Sequence, residues 1–369
     1  MPKKVVVFPA GFSGCAFWRM RTPIAAIKRQ FPEADITIVD PDKFSIPYVR
    51  ELANSCDAAM FQAPGDPLHL ELIDMYKKFG KKVYIDYDDY SFDLSPYNPR
   101  YAMLGTQEVK VVQDGVEKYV WKDGYKGFDL KANNHRFDIF KKCTGLADVV
   151  TVTTPYLADK FKALNPNIQP IMNAIDFTKW RPLERPAKFK DEVRIGWFGG
   201  DSHYKDLELI KPMFKAIAEK HKNVKFVMLI PSPDWVNLLL NDIPKEQLEV
   251  HYWADLEIYT LILASMFWDI GLSPIEVNEF GKCKSNIKWQ EFAALKVPTV
   301  MTDCLPYSTD TVNWDNGVCV PNEGFTEAVD KLVSDKELRE RIGQKAYDYV
   351  FKNYNLDDKC KEWYKLYNS

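Results

Sequence analysis

The stretch Val193-Arg194-Ile195-Gly196-Trp197-Phe198-Gly199-Gly200-Asp201-Ser202-His203-Tyr204-Lys205 decides the fold class. A short apolar run of this kind reads as a strand buried on both faces, and the Gly-Gly that ends it gives way to a helical pattern over about residues 206–221. A buried strand, a glycine turn and a helix form the repeating unit of a parallel α/β sheet. Downstream the alternation continues through strands near 225–230, 269–272, 298–301 and 317–320. Upstream the same grammar holds for 5–9, which runs into Ala10-Gly11-Phe12-Ser13-Gly14 and a helix near 22–31, and then for 36–39, 58–62, 82–85 and 149–153. The chain therefore reads as two doubly wound parallel-sheet domains. Residues 173–190, with Pro182, Pro186 and no periodicity, separate the two series. We expect a first domain over 1–180, a second over 181–350, and a terminal segment over 351–369. One or two amphipathic helices over 335–367 end in Trp363, Tyr364 and Tyr367, rings that could anchor the end of the chain.

The chain has 369 residues, 46% hydrophobic and 27% charged, which suits two globular domains and gives no support to a disordered or fibrous chain. Its longest strongly apolar stretch, near 261–268, is about half of what a membrane-spanning helix needs. Met1-Pro2-Lys3-Lys4 leads straight into the first strand without the apolar region of a signal peptide, so a cytoplasmic protein is expected. The seven cysteines are scattered and never arranged as C-x-x-C, which points to free thiols rather than a disulfide framework or a zinc site. The net charge of −3 divides unevenly. Residues 1–180 carry 24 Lys and Arg against 22 Asp and Glu, a net of +2. Such a half could face an anionic acceptor or a membrane surface, but ordinary solvated faces are the favoured reading of so small an excess.

In open α/β sheets ligands bind beyond the carboxyl ends of the strands, so four loops are candidates. In the first, Gly199 and Gly200 would let a phosphate approach the backbone, and His203 and Lys205 stand at the following helix; a routine turn is the alternative. The second is Lys284-Ser285-Asn286-Ile287-Lys288-Trp289-Gln290-Glu291. Ser285 or Asn286 can cap a helix on which Lys284, Lys288 and Glu291 share a face, suited to an anion and then to ribose hydroxyls. The third, Asp86-Tyr87-Asp88-Asp89, puts carboxylates at the end of the 82–85 strand, where they could act as a base, bind a divalent cation, or cap the loop. The fourth is Gly11 to Gly14 with Arg19 and Arg21 beyond it. Gly14 would give a ligand access to the backbone, and Arg19 could reach a phosphate or serve between domains. The five histidines show no metal-binding spacing.

Three segments carry a family resemblance. Ile195 to Gly200 with His203, Lys205, Asp206 and Leu207 is one; Asp269 to Pro274 with Phe280-Gly281, Lys284-Ser285, Lys288, Glu291, Ala293-Ala294 and Pro298-Thr299-Val300 is the second; Asn173-Ala174-Ile175-Asp176 is the third. Together they resemble the retaining glycosyltransferases of GT-B architecture, in the large bacterial and viral "glycosyl transferases group 1" set. The resemblance spans about half the chain and implies two Rossmann-like domains facing a cleft, with a last helix crossing back to the first domain. It also implies a nucleoside-diphosphate sugar donor, UDP-sugar foremost, bound through Gly199, Gly200, His203, Lys205, Lys284, Ser285, Lys288 and Glu291, to which the loop reading above adds Gly14 and Arg19. Asp88, Asp89, Lys205 and Lys288 become the catalytic candidates, without an obligatory metal, although Mg²⁺ is compatible. The acceptor would be a glycan, a lipid-linked saccharide or a modified viral DNA base, with peripheral membrane contact an option. Two departures stand out. The first of the group's two donor-site glutamates would fall on Cys283, so it is missing or displaced to Glu279, and Asp201 stands where an arginine is usual. A non-catalytic two-domain sugar- or nucleotide-binding protein is the alternative.

Overall fold

The structure, a computed structural model, describes residues 2–91, 94–113, 116–252 and 255–369. In chain order its strands are β1 (Val5–Phe8), β2 (Ile36–Ile38), β3 (Ala58–Gln62), β4 (Lys82–Tyr87), β5 (Val109–Gln113), β6 (Val116–Trp121), β7 (Val149–Val152), β8 (Ile168–Pro170), β9 (Val193–Phe198), β10 (Val224–Ile230), β11 (Leu248–Tyr252), β12 (Ile270–Ser273), β13 (Thr299–Thr302) and β14 (Val318–Val320). They form two six-stranded sheets, ordered β2-β1-β3-β4-β7-β8 and β11-β10-β9-β12-β13-β14, and every pairing within them is parallel. The central strands β1, β3 and β9 are buried at every position, as a sheet covered on both faces by helices requires. This is the architecture expected from the sequence.

Each sheet reverses its strand order once, between β1 and β3 in the first and between β9 and β12 in the second. At such a switch point adjacent loops leave in opposite directions and open a crevice. The two crevices face each other.

The helices explain how each half is clad. In Thr22–Gln30, Ile24, Ala26 and Ile27 are buried with β1, and the second sheet is covered by Lys211–Lys220 and Phe325–Ser334 among others. The helix expected over 206–221 is two, Tyr204–Glu208 and Lys211–Lys220, because Pro212 can enter a helix only in its first turn. The chain end also forms two helices, Lys336–Asn353 and Leu356–Tyr367. The second returns to the first sheet, where Leu356, Cys360, Trp363, Leu366 and Tyr367 are buried with Val5, Val7 and Tyr84. Tyr364 stacks on Phe31 at 3.9 Å between ring centroids, and the Tyr84 hydroxyl donates to the Leu366 carbonyl at 2.9 Å. Among the described helices none is long and apolar enough to cross a membrane.

One substantial element has no counterpart in the sequence reading. Between β4 and β7 the chain makes the short helix Tyr101–Leu104 and the antiparallel hairpin β5–β6. Its Leu94, Tyr101 and Phe128 share an apolar cluster with Phe280 of the second half, so this insertion bridges the crevice.

Candidate active site

The facing crevices enclose a cavity of about 570 Å³. Gly14, Arg19, Asp88, Asp89, Gly199, Gly200, His203, Lys284, Ser285, Lys288 and Glu291 all border it. The residues are up to 277 positions apart in sequence, from Gly14 to Glu291, and only the docking of the two halves brings them together.

The wall from the second half begins where β9 ends. A side chain at Gly199 would collide with the Trp197 ring at 2.7 Å, whereas a Cβ at Gly200 would meet nothing within 4 Å. Close packing fixes the first glycine and open cavity lies beside the second. His203 sits above them, its Nδ1 2.7 Å from Asp206 Oδ2. Burial, followed by the charge of Lys284, pushes the imidazole down to about 3, so His203 is neutral. Against the cost of its own burial, Asp206 is held below the usual carboxylate range by Lys284, 3.8 Å away, and by His203.

The helix Ile287–Ala294 starts later than the sequence spacing suggests. Lys284 lies outside it as the C-cap of the short helix Glu279–Cys283, and Asn286, at the N-cap, makes no side-chain cap bond. Asn286 is turned inward instead, donating to Asp310 Oδ2 at 3.0 Å and accepting from Gln290 at 2.6 Å. The first turn of the helix thus borders the cavity uncapped, with Ser285 and Ile287 in the wall.

Lys288 is 8% exposed, flanked by the rings of Trp197 and Phe198 at 4.9 and 5.7 Å, and makes no hydrogen bond or ion pair with any described residue. Burial and then Lys284 bring its ammonium down to about 8. One turn on, Glu291 is 3% exposed and accepts a hydrogen bond from the Tyr259 hydroxyl at 2.8 Å, and burial lifts its carboxyl to about 8.

The wall from the first half is built differently. β4 runs to Tyr87, two residues beyond the expected end, so Asp86 is a strand residue with no exposure. It is consumed by Arg19, whose Nη2 lies 2.6 Å from Oδ1, and by the Thr151 hydroxyl, also at 2.6 Å. Arg19 stands in a π-turn, Phe17–Arg21, between Gly14–Ala16 and Thr22–Gln30. It also donates to the Ile171 carbonyl at 2.5 Å and to Asn173 Oδ1 at 3.2 Å. Its charge is matched internally, as the interdomain alternative would have it, and the residue borders the cavity. Asp88 and Asp89, past the strand end, are half-buried and face the cavity. Burial and the adjacent Asp89 raise Asp88 to about 6, and Cys15 hydrogen-bonds to it.

Two further residues depart from the sequence reading. Lys205 does not border the cavity; its Nζ pairs with Glu208 Oε2 at 2.6 Å and lies 4.7 Å from the Tyr97 ring. Glu279 does not border the cavity either. It ties the halves together, receiving the Tyr156 hydroxyl at 2.9 Å, Lys282 at 3.0 Å and an ion pair from Lys160. Cys283, at the expected glutamate position, is buried against the first half's core.

The sequence reading missed Tyr259, Trp18 and Arg100, all on the cavity wall. Tyr259 belongs to an apolar helix whose spacing gives no hint that its hydroxyl meets Glu291, and Arg100 lies in the unread insertion. Asn173, singled out within Asn-x-x-Asp, crosses between the halves by donating to Ser285 Oγ at 2.9 Å.

No family model matches the chain, and no curated protein matches it in sequence. Solved structures do match in shape. Anabaena HepE in complex with UDP and glucose superposes with a TM-score of 0.67 at 11% identity, over 100% of each chain. Sucrose-phosphate synthase from Thermosynechococcus elongatus gives 0.65 at 10% identity, over 99% of this chain and 98% of that one. A glycosyltransferase from Rickettsia africae gives 0.63 at 14% identity over the same shares. With two six-stranded parallel sheets, facing switch points and a last helix returned to the first sheet, the chain has the GT-B fold.

Proposed function

We propose that this chain is a glycosyltransferase that moves a sugar from a nucleoside-diphosphate donor to an acceptor hydroxyl with retention of anomeric configuration. Lys288 carries the reading. A lysine this buried, without a carboxylate partner and open only toward a cavity, is a desolvated charge waiting for an anion. A diphosphate supplies it, and Lys284 and the uncapped helix N-terminus add to the same positive field. Similarity of shape to HepE, which binds UDP and glucose, favours a UDP-sugar.

In this reading Glu291 meets the ribose. Its carboxyl, protonated near neutral pH and fixed by Tyr259, can both donate to and accept from paired hydroxyls. Bond breaking at the anomeric carbon leaves charge on the diphosphate, and Lys288, Lys284 and the helix N-terminus are already aimed at it. Preorganised stabilisation of this sort is worth about 10² to 10³ in rate per donor. Asp88 and Asp89 sit on the opposite wall, where the acceptor enters. Their role is to orient its hydroxyl while the departing phosphate takes the proton from the same face, as retention requires.

The test is to incubate the purified chain with UDP-glucose and other sugar nucleotides, with and without Mg²⁺, and follow nucleotide release. Slow acceptor-independent hydrolysis of one donor is expected. UDP binding without turnover of any donor, under every condition, would indicate a binding protein instead.

A further inference from the structure

We infer that the acceptor is an uncharged saccharide and that Phe12 is the platform on which its ring lies. The inference rests on the donor reading above and names the second substrate of the same cavity.

Phe12 is 62% exposed and stands on the cavity wall contributed by the first half. Isolated exposed apolar side chains are common and mean little. This one is held in place. Gly11, with φ +72°, turns the backbone just before it into a conformation other residues rarely adopt. From beneath, the Arg21 guanidinium lies 4.7 Å from the ring centroid, and Arg21 Nε, buried, has no hydrogen-bond partner. The guanidinium therefore packs against one side of the ring, while most of the Phe12 side chain stays exposed. An aromatic face is electron-rich and attracts the polarised C–H groups of a sugar ring laid flat against it.

Charge separates a saccharide from a nucleic acid. Once Lys284 and Lys288 face the diphosphate and Arg19 is closed on Asp86, the charged side chains left are Asp88, Asp89 and Asp201 against Arg100 on the wall and Arg21 behind the Phe12 ring. Nucleic-acid binding draws most of its affinity from cations meeting phosphates, and this wall offers the reverse. Carboxylates do suit hydroxyls, since each oxygen accepts hydrogen bonds from a polyol. The cavity thus presents an apolar platform and an acidic hydrogen-bonding rim, with Lys288 independently marking the donor end of the same space.

The experiment measures UDP release from the donor by the full chain with two probes. One is a panel of methyl glycosides and disaccharides; the other is a duplex oligonucleotide carrying hydroxymethylated bases. At least one saccharide should accelerate release at least tenfold, with KM insensitive to salt between 50 and 300 mM. Phe12→Ala should raise that KM at least tenfold while lowering kcat less than threefold, and Phe12→Trp should keep KM within threefold of the parent. Calorimetric titration with UDP shows that each variant is folded. Acceleration by the oligonucleotide alone, no response to any saccharide, or an unchanged KM in Phe12→Ala would each overturn the inference. A parent protein that fails to bind UDP would instead sink the donor reading, and the acceptor inference with it.

Discussion

The Arg19 guanidinium closes on the Asp86 carboxylate at 2.6 Å with both side chains withdrawn from solvent. The same guanidinium lies 4.8 Å from the Trp363 ring and donates to Ile171 and Asn173. One residue thereby connects the switch point of the first sheet, the segment leading to the second half, and the returning last helix. Removing one partner of such a pair leaves a bare buried charge, which typically costs about 3–5 kcal/mol. We expect Arg19→Met to lose that much in urea denaturation and Arg19→Met/Asp86→Asn to recover part of it. A loss under about 1 kcal/mol in Arg19→Met would mean that the pair is solvated.

The last helix should matter for folding and not only for the closeness of the two halves. Trp363 and Tyr367 are buried against β1 and β4 rather than resting on a surface. Trp363→Ala should cost about 3–5 kcal/mol, the usual range for an aromatic removed from a core. Loss of residues 361–369 should abolish a cooperative thermal transition in the first half. Unchanged melting after either change would refute this assignment.

If Asp88 orients the acceptor, as proposed, its removal should affect stability in a way the loss of a structural cap would not. Its folded pKa, about 6, lies above the ordinary 3.8, so the folded state prefers the protonated acid. That contribution to stability is fully present below about pH 4 and lost as pH rises through about 6. At pH 7 the folded protein carries a disfavoured charge, so Asp88→Asn should raise the melting temperature while transfer falls at least about a hundredfold. A cap would show the opposite stability change, a loss of about 1 kcal/mol.

Of the two candidate glutamates, only one borders the cavity. Glu291→Ala should weaken UDP binding by about 1–3 kcal/mol, the range for a hydrogen bond involving a chargeable group. Glu279→Ala should leave UDP affinity within a factor of three, because its partners are Tyr156, Lys160 and Lys282. Calorimetry on both variants decides, and equal losses would contradict the geometry.

The strands that build the two sheets were largely legible because each is a short apolar run bounded by glycine, proline or a helical pattern. β8 and β11 were not, since their residues are only half-buried and lack that contrast. The insertion with β5 and β6 escaped for the same reason: none of the described side chains of its strands is buried. Loop positions at the switch points were readable from glycines and charges, and the direction of a side chain was not. Lys205 follows the glycine turn as the resemblance leads one to expect, yet one helical turn carries it away to Glu208. Arg19 has the chemistry of an anion-binding residue, and only the register that puts Asp86 beside Thr151 shows its charge to be spent.

If Lys288 meets the donor diphosphate, as proposed, donor binding should depend on pH. Its ammonium, at about 8, lies below the ordinary 10.5, and a diphosphate beside it would favour the charged form and raise it again. Between those values binding should take up a proton, and affinity should fall as pH rises above about 8. Titrations at pH 8.5 in two buffers of different ionisation heat should show uptake of up to about one proton. The same uptake in Lys288→Met would place the titrating group elsewhere.

The most direct test of the account is calorimetric titration of UDP into the parent, Lys288→Met and Lys205→Met proteins at pH 7. Loss of the buried cation should weaken binding by at least about a hundredfold, or roughly 2.7 kcal/mol, whereas Lys205→Met should stay within threefold of the parent. If Lys288→Met binds UDP as the parent does, or if Lys205→Met suffers the larger loss, the diphosphate does not sit where this account places it.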